Sequence, residues 1–379
     1  MDVVDLTRDL VSIPSHEDET AAGDYIEEWL RAETDADVRR DEVGNVIARV
    51  GTDEEAHADG ETLALVGHHD VVAPAASQVD EDGAYVLERR DDRLYGRGTA
   101  DMKGAVAAAM LAFRDAELAL SNIDGVGGGD DSGADALVFA SFVGEEVGGV
   151  GARHAIERGF APDYAIVGEG STNYSKPGVT DVVVAHKGRR GSAITASGTA
   201  AHASEVEAGE NAIYRATDAV DIVRDLEAPS VDVAGETLEG SLVVTEIDGG
   251  TAMNVIPERC ALTIDERTVP GERAALERVE SVDGVEWTVD QDLPPMRCDD
   301  EAFAESVLEA ADAAQSGSPE LVTKPHATDA GWLAEAGTEC VIYGASEPGE
   351  AHTKAESVSI EVLERCRETY RAVAERWLR

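Results

Sequence analysis

Apolar residues recur with two different spacings in the first part of this chain. In "AAGDYIEEWLRAE" (21–33) they return every three or four residues, which predicts a helix with one buried face. "ETLALVGHHDVV" (61–72) and "DALVFASFVGEE" (135–146) are short continuous apolar runs that end in polar residues, as buried parallel strands do. A long helical pattern (104–120) lies between them. This order predicts a mostly parallel α/β sheet flanked by helices, with a right-handed crossover.

A different pattern begins near Lys187, where segments rich in β-forming residues replace the long apolar runs. One helical pattern, "ENAIYRATDAVDIVRDLEA" (210–228), lies among these segments. The combination predicts a smaller α+β unit. The β-forming segments are "GSAITASGTA" (191–200), "GSLVVTEIDGG" (240–250) and "CALTIDERTVP" (260–270).

The smaller unit is predicted to be an insertion in the first domain. Near the two prolines of "DLPPMR" the pattern returns to helix, strand and helix. We therefore expect a discontinuous first domain, formed by 1–184 and 293–379, and an inserted domain spanning 185–292. The acidic, glycine-rich segment 121–135 is predicted to be a surface loop.

The net charge of the chain narrows the classes of molecule that it is expected to bind. The 379 residues include 78 Asp and Glu against 31 Lys and Arg, a formal net charge of −47 that is spread along the whole chain. Such a surface repels nucleic acid and anionic lipid, so neither is expected as a partner. Lysine is rare and arginine carries most of the positive charge. This bias resembles that of haloarchaeal cytoplasmic proteins, in which high internal salt screens self-repulsion.

Cysteine usage and the N-terminal sequence indicate a cytoplasmic location. The four cysteines show no CxxC spacing and no disulfide framework, which favours a reducing compartment. The sequence "MDVVDLTRDLVSIPS" has no basic region typical of a signal peptide. No apolar run approaches the roughly 20 residues needed to cross a bilayer. We expect neither export nor membrane insertion.

Polar residues follow several predicted strands, at the sheet edge where open α/β folds place their functional sites. His68 and Asp70 form an H-x-D arrangement in which the carboxylate can hold the second ring nitrogen of a metal-binding histidine. Taken alone, an H-x-D pair lacks a function about as often as it has one. Asp101 precedes a helix, where a lone aspartate by default caps the helix.

Three further strand ends carry similar side chains. Glu145 and Glu146 are adjacent at the end of one apolar run, Glu169 follows another, and His352 lies just beyond a late strand. Imidazole and carboxylate groups together form the ligand set preferred by zinc and neighbouring first-row metals. A carboxylate can also bridge two ions that act on one water and one carbonyl. The alternative is a coincidence of strand-end polar residues in an acid-rich chain.

The order H-x-D, G-x-x-D-M-K-G, E-E, G-E and a late histidine resembles the M20 family of dinuclear zinc amidohydrolases and peptidases. The resemblance covers nearly the whole chain, and "GRGTADMKG" with "GEE" is its most specific part. It implies two divalent metal ions, zinc first, with cobalt or manganese as alternatives. The family often has proline where this chain has Gly170.

Residue by residue, the resemblance implies a division of roles at the metal centre. His68 and Glu169 hold one ion, His352 and Glu146 hold the other, and Asp101 bridges them. Asp70 orients His68. Glu145 is the general base that receives a proton from the attacking water and passes it to the departing amine.

The inserted domain resembles the family's dimerisation or lid domain, which implies a homodimer. His202 in "GTAAHAS" matches a histidine that stabilises the oxyanion in the partner subunit's site, although without the resemblance it is a surface turn residue. Asn254 and Arg267 match positions that bind or orient a substrate carboxylate. An ion pair of Arg267 with Asp265 or Glu266 is equally compatible with the sequence.

The resemblance leaves several substrates open, all of them N-acyl amino acids or short peptides. Arg189 and Arg190 in "GRRGS" match a run in succinyl-diaminopimelate desuccinylases, and they suit a substrate with several carboxylates. N-succinyl-diaminopimelate, in lysine biosynthesis, is therefore the first candidate. Deacetylation of acetylornithine, in arginine biosynthesis, or of acetyllysine is the second, and small-peptide carboxypeptidase or dipeptidase activity is the third. A non-catalytic ligand-binding protein is the alternative from another class, and it is disfavoured because no ligand or base is lost.

The acidic surface generates a first prediction. We expect the protein to unfold in dilute buffer and to fold in molar salt, because self-repulsion is screened over about 3 Å at 1 M salt but only over about 30 Å at 0.01 M. Far-UV circular dichroism across a potassium chloride series measures this. Full helical signal and an unchanged Tm in dilute buffer would contradict the prediction.

Overall fold

The computed structural model describes residues 1–51, 61–81, 83–121 and 136–378, and the predicted loop at 121–135 lies almost entirely outside them. Eight helices occur in this part of the chain, together with short 3-10 segments at Ala76–Gln78, Val206–Ala208 and Leu276–Ser281. The helices are α1 (Val3–Val11), α2 (Thr20–Glu33), α3 (Lys103–Ser121), α4 (Val150–Glu157), α5 (Ala212–Asp225), α6 (Glu301–Ala313), α7 (Asp329–Glu335) and α8 (Ile360–Trp377).

Strands alternate with these helices in the outer parts of the chain and dominate its middle. They are β1 (Asp37–Arg40), β2 (Val46–Val50), β3 (Thr62–His68), β4 (Glu88–Arg90), β5 (Arg93–Tyr95), β6 (Ala136–Phe142), β7 (Tyr164–Val167), β8 (Val182–His186), β9 (Gly188–Ser197), β10 (Ala201–His202), β11 (Ser230–Val233), β12 (Glu236–Glu239), β13 (Ser241–Gly249), β14 (Val255–Ile256), β15 (Arg259–Thr268), β16 (Val285–Leu293), β17 (Met296–Arg297), β18 (Leu321–Lys324), β19 (Glu339–Ile342) and β20 (Ser357–Ser359).

The chain divides into two compact units. One consists of Met1–Val184, Arg297–Val322 and Thr328–Arg379, and the other of Ala185–Met296 and Thr323–Ala327. The first unit is an α/β structure and the second is an α+β structure, so the predicted fold class is confirmed. Among the described residues, no helix has the length and apolar content that a membrane span requires.

The first unit is organised by a nine-stranded sheet in the order β1-β2-β6-β3-β7-β19-β8-β17, with β18 paired to β8. Its central strands, β6, β3, β7 and β19, are parallel, whereas β1, β2 and β8 pair antiparallel with their neighbours. The connections from β3 to β6 and from β6 to β7 step in opposite directions along the sheet. Right-handed crossovers therefore place α3 and α4 on opposite faces.

The core of this unit is apolar on both sides of the central strands. β6 is buried along its whole length, and α3 packs against α8 with alanine, methionine and phenylalanine side chains that are almost fully buried. Phe113 of α3 meets Phe139 of β6 with ring centroids 6.3 Å apart. Strands buried on both faces explain the continuous apolar runs of the sequence.

The second unit is built on an antiparallel sheet in the order β13-β15-β9-β16. One face of this sheet packs against α5 and the 3-10 segment at 276–281. β9 and β15 alternate buried and partly exposed residues, as expected for strands with one covered face. Ile194, Leu262 and Ala216 are fully or almost fully buried in its core.

Asn45 connects the β1-β2 hairpin to the segment that follows β6. Its side chain is fully buried. The amide nitrogen donates to the Asp41 carboxylate at 2.7 Å and to the Gly151 carbonyl at 2.9 Å, and the amide oxygen accepts from the Val143 N–H at 3.1 Å. Three hydrogen bonds of one buried side chain, two of them fully buried, thus set the start of the segment that carries Glu145.

We expect Asn45→Ala to lower the free energy of unfolding by about 1 to 3 kcal/mol, because it leaves the buried Val143 N–H without this acceptor and removes the donor to the Gly151 carbonyl. Urea unfolding in molar salt measures the loss. Asn45→Asp is the comparison variant: it keeps an oxygen that can accept from Val143, but it turns the donor into a carboxylate oxygen that faces Asp41 and the Gly151 carbonyl, so it should lose at least as much. An unfolding free energy equal to that of the unaltered chain for Asn45→Ala would contradict this role.

Candidate metal centre

Three neighbouring strands of the first unit end in ionisable side chains. β3 ends at His68, β6 is followed by Glu145 and Glu146, and β7 is followed by Glu169. Because these strands are parallel and adjacent in the order β6-β3-β7, their carboxyl ends share one edge of the sheet. The chain continues from β3 to a strand on one side and then to a strand on the other, which is the topological position where α/β sheets bind ligands.

His68 is buried with one ring nitrogen held and the other without a hydrogen bond. Its Nδ1 lies 3.1 Å from the Asp70 carbonyl oxygen and 3.2 Å from the Asp70 carboxylate. Both neighbours are acceptors, so Nδ1 carries the proton in the neutral ring and Nε2 presents a lone pair. Nε2 has no hydrogen-bond partner among the described residues, yet it lies 3.3 Å from Asp101 Oδ1 and 3.5 Å from Glu169 Oε1.

Asp70 has a second role that the sequence did not predict. Its two carboxylate oxygens accept the backbone N–H groups of Glu145, at 3.2 Å, and Glu146, at 3.1 Å. One buried carboxylate therefore orients His68 and also sets the backbone of the glutamate pair. Nothing in the local sequence indicates this contact, because the partners are 75 and 76 residues apart.

Asp101 lies between the two histidines. Its Oδ1 is near His68, and its Oδ2 lies 3.1 Å from His352 Nε2, which also lies 2.9 Å from Glu146 Oε1. The two carboxylate oxygens thus face the two imidazoles, unlike a simple helix cap. The peptide bond between Asp101 and Met102 is cis.

These side chains form groups that fit metal coordination. In each group the ligand atoms lie within 4.8 Å of one another. Two of the groups share Asp101, and the predicted ligands are all present in them. The groups are His68, Asp101 and Glu169; Asp101, Glu146 and His352; and His68, Glu145 and Glu146. With the lone pair of His68 Nε2, this nitrogen and oxygen donor set suits divalent first-row metals.

Burial and close charges shift the pKa values of several site residues. Burial raises the pKa of Glu145 well above its usual value, and the charge of Glu169 adds to the effect. Burial also opposes ionisation of Asp101, but its contacts with His352 and His68 outweigh burial and lower its pKa. Contact with Asp101 and then with Glu146 raises the pKa of His352 to about 10. A cation relieves the repulsion among carboxylates that are crowded in this way.

Asp329, at the start of α7, is a further buried carboxylate that sequence reasoning missed. It is 4% exposed, and neither of its oxygens has a hydrogen-bond partner among the described residues. Burial, assisted by the charges of Asp70 and Glu169, raises its pKa to about 7. In the sequence it resembles any acidic residue in the first turn of a helix.

The loop that carries His352 is held by polar contacts from several elements. Arg93 of β5 donates to Glu347 at 2.7 Å and to Glu350 at 3.1 Å. Asn173 donates to the second Glu347 oxygen at 2.7 Å. His352 itself adopts a left-handed backbone conformation, with φ at 63°. Such a conformation is costly for a residue with a Cβ and persists where the surrounding contacts enforce it.

In the second unit, the structure brings His202 and Asn254 together. β10 pairs with β14, and the Ala203 N–H donates to the Asn254 carbonyl at 2.9 Å. His202 Nδ1 accepts the Ser204 N–H at 3.2 Å, so the neutral ring carries its proton on Nε2. The His202 side chain is exposed and can present this donor to a ligand.

Arg190, which the sequence assigns to substrate binding, is paired inside the second unit. Its Nε lies 2.5 Å from Glu266, its Nη2 donates to the Ala274 carbonyl at 3.0 Å, and its guanidinium lies 5.1 Å from the Trp287 ring centroid. The side chains of Arg190 and Glu266 are 10% and 1% exposed. Arg190 thus already has buried partners inside the unit, and its assignment to substrate binding stays a prediction.

Arg267 adopts the ion pair that the sequence left open. Its Nε donates to Asp265 at 2.8 Å, and Arg189 donates to the other oxygen of the same carboxylate at 2.9 Å. Arg267 remains partly exposed, with 37% of its side chain accessible. It can still contact a ligand, although Asp265 already satisfies part of its guanidinium.

Comparison with known proteins agrees with this geometry. A model of the peptidase family M20/M25/M40 matches residues 64–376. An acetylornithine deacetylase from Myxococcus xanthus is 31% identical over 342 residues, covering 85% of this chain and 81% of that protein. The chain belongs to this family. It is therefore a hydrolase of the metallopeptidase and amidohydrolase class. The resemblance to the M20 family that the sequence indicates is confirmed.

Two further M20 relatives extend the comparison over nearly the whole chain. A proposed succinyl-diaminopimelate desuccinylase from Mycobacterium tuberculosis is 28% identical and covers 95% of this chain and 94% of its own length. The crystal structure of a Bacillus subtilis dinuclear metal binding peptidase of the M20 family shares the fold, with a TM-score of 0.70 and 18% identity. It covers 99% of this chain and 97% of its own.

The buried position of Arg190 generates a prediction that distinguishes a structural role of this residue from a role in substrate binding. We expect Arg190→Met to lower the free energy of unfolding by about 3 to 5 kcal/mol, because Glu266 would keep a buried, unpaired charge. Denaturant titration in molar salt measures the loss. KM of the folded fraction should stay unchanged.

The matched control is Arg189→Met, which removes the neighbouring but exposed ion pair with Asp265. It should cost less than about 1 kcal/mol, since exposed pairs contribute little. A raised KM for Arg190→Met with no loss of stability would restore its assignment to substrate binding.

Proposed function

We propose that this M20 hydrolase removes the acyl group from an N-acyl amino acid at a dinuclear metal centre. The observation that supports this best is the position of Asp101, whose two oxygens face the separate groups around His68 and His352. A carboxylate shared by two ligand groups is the element that a two-metal site needs.

In this proposal, His68 and Glu169 hold one ion and His352 and Glu146 hold the other, with Asp101 between them. Zinc suits the imidazole and carboxylate set, and cobalt or manganese are alternatives. When bound, the ions supply Lewis acidity and lower the pKa of a water molecule. Asp70 keeps His68 in the tautomer that leaves its Nε2 lone pair free for a ligand.

Glu145 serves as general base and then as general acid. Its side chain is almost buried and lies 4.0 Å from His68 Nε2, beside the ligands, and burial raises its pKa. A raised pKa allows this carboxylate to receive a proton from the attacking water. The same group then donates that proton to the departing amine, which leaves as a neutral molecule.

The substrate is an N-acyl amino acid, and two candidates are equally supported. The buried ion pair of Arg190 with Glu266 weakens the argument that favoured N-succinyl-diaminopimelate, and the named relatives divide between this substrate and acetylornithine. A short peptide is the next candidate, since a solved relative is a peptidase. A hydrolysis screen of these three amides with zinc in molar salt distinguishes them.

The homodimer stays a prediction from the family resemblance. The cytoplasmic location stays a prediction from the cysteine usage and the N-terminal sequence. The second unit has exposed apolar side chains at Val243, Ile247 and Met253, which suit an association surface. His202, with its exposed ring, is the proposed oxyanion donor.

We expect Glu145→Gln to reduce kcat by about 10²- to 10⁴-fold, because an amide cannot accept the water proton. Metal content, measured by plasma mass spectrometry, should remain that of the unaltered protein. Glu117→Gln is the matched control: this α3 glutamate is 7% exposed and, like Glu145, has a pKa raised by burial, but it accepts the Asp35 N–H. Near-normal turnover of Glu145→Gln would reject its assignment as base.

A further inference from the structure

Glu356, four residues after His352, contacts the segment that carries Asp101. Its side chain is fully buried, and its Oε1 accepts two consecutive backbone N–H groups, from Ala100 at 3.0 Å and from Asp101 at 3.2 Å. The backbone of Asp101 is therefore oriented by a carboxylate that belongs to the loop of the late histidine.

The second oxygen of Glu356 faces Arg97, at 2.5 Å from Nη1. This guanidinium is also buried, with 3% of the side chain exposed. The Gly96 N–H donates to the Glu356 backbone carbonyl at 3.1 Å. Side chain and backbone of Glu356 thus join the segment 96–101 at four points, and Arg97 balances the buried charge.

We propose that Glu356, with Arg97 as its counter-ion, is a positioning residue that sets Asp101 between the two ligand groups. The proposal rests on the dinuclear function proposed above. Asp101 must present Oδ1 towards His68 and Oδ2 towards His352 at the same time, which requires a defined backbone orientation. Two N–H groups held by one buried oxygen supply that orientation.

Only a carboxylate satisfies all the donors around this position. The Ala100 and Asp101 amides and the Arg97 guanidinium all donate. A glutamine can accept from the two amides through its oxygen, but its NH₂ group would face the Arg97 N–H. Glu356→Gln therefore preserves size and one half of the contact, while it removes the acceptor for Arg97.

The His352 loop has separate anchors, so a change at Glu356 acts mainly on Asp101. Arg93 holds Glu347 and Glu350 of that loop and also donates to Ser357 Oγ at 3.0 Å. These contacts do not involve Asp101. We therefore expect a change at Glu356 to misalign Asp101, the ligand shared by the two groups, while the His352 loop keeps its position.

The experiment is a zinc titration of metal-free protein by calorimetry, in salt that keeps the chain folded. The unaltered protein should bind two ions. Glu356→Gln should bind at least one of them 10- to 100-fold more weakly, the usual effect of losing a group that orients a ligand. Its kcat should fall while KM changes less than about twofold, because the substrate contacts are not altered. Arg97→Lys, which keeps a cation for Oε2, should lose less affinity than Arg97→Met.

Asp181→Asn is the matched control for a buried carboxylate that holds backbone. Asp181 is fully buried and accepts the Ser175 N–H at 2.8 Å, the Ser175 hydroxyl at 2.7 Å and the Glu320 N–H at 3.0 Å. Its variant should lose stability but bind zinc as the unaltered protein does.

Two results would overturn the positioning role: zinc isotherms of Glu356→Gln that match the unaltered protein, or an equal loss of affinity in Asp181→Asn. Fewer than two zinc ions in the unaltered protein is a different result, since it would reject the dinuclear function and this proposal with it.

Discussion

The constraint on which this structure depends is the crowding of carboxylates at one buried edge of a sheet. Asp101, Glu145, Glu146 and Glu169 converge where β3, β6 and β7 end, in a chain that already carries a formal net charge of −47. Like charges in a medium of low polarity repel strongly, so this arrangement is stable only with compensating donors and cations. The parallel strands bring the groups together, and the burial of those strands prevents water from screening them.

The supports around the cluster follow a common pattern, in which a buried carboxylate accepts backbone N–H groups of a segment that carries a site residue. Asp70 does this for Glu145 and Glu146, and Glu356 does it for Asp101. Each of these carboxylates also contacts a cationic or ring nitrogen partner, His68 or Arg97. Backbone contacts of this kind constrain a loop without using the side chain that performs the chemistry.

The α/β fold and the strand-end cluster could be predicted because both depend on local patterns. Apolar runs that end in polar residues mark buried parallel strands, and the sheet brings their ends together. Glu356 and Arg97 could not be found in this way, because they pair with each other across 259 residues. Asp329 could not be found either, because the charged groups near it belong to distant segments. The motif "GRRGS" alone does not indicate the partner of Arg190. In the sheet, Arg190 on β9 lies directly opposite Glu266 on β15, and cross-strand pairing decides its role.

The double contact of Asp70 has a consequence for how the site can be dissected. Because one carboxylate holds the ring of His68 and the backbone of Glu145 and Glu146, the energetic effects of changing these residues are coupled through it. Single substitutions at a metal-binding position and at the base will not sum to the effect of the double substitution. His68, Glu145 and Glu146 therefore behave as one thermodynamic unit. The free-energy change measured for any one of them includes its effect on the others.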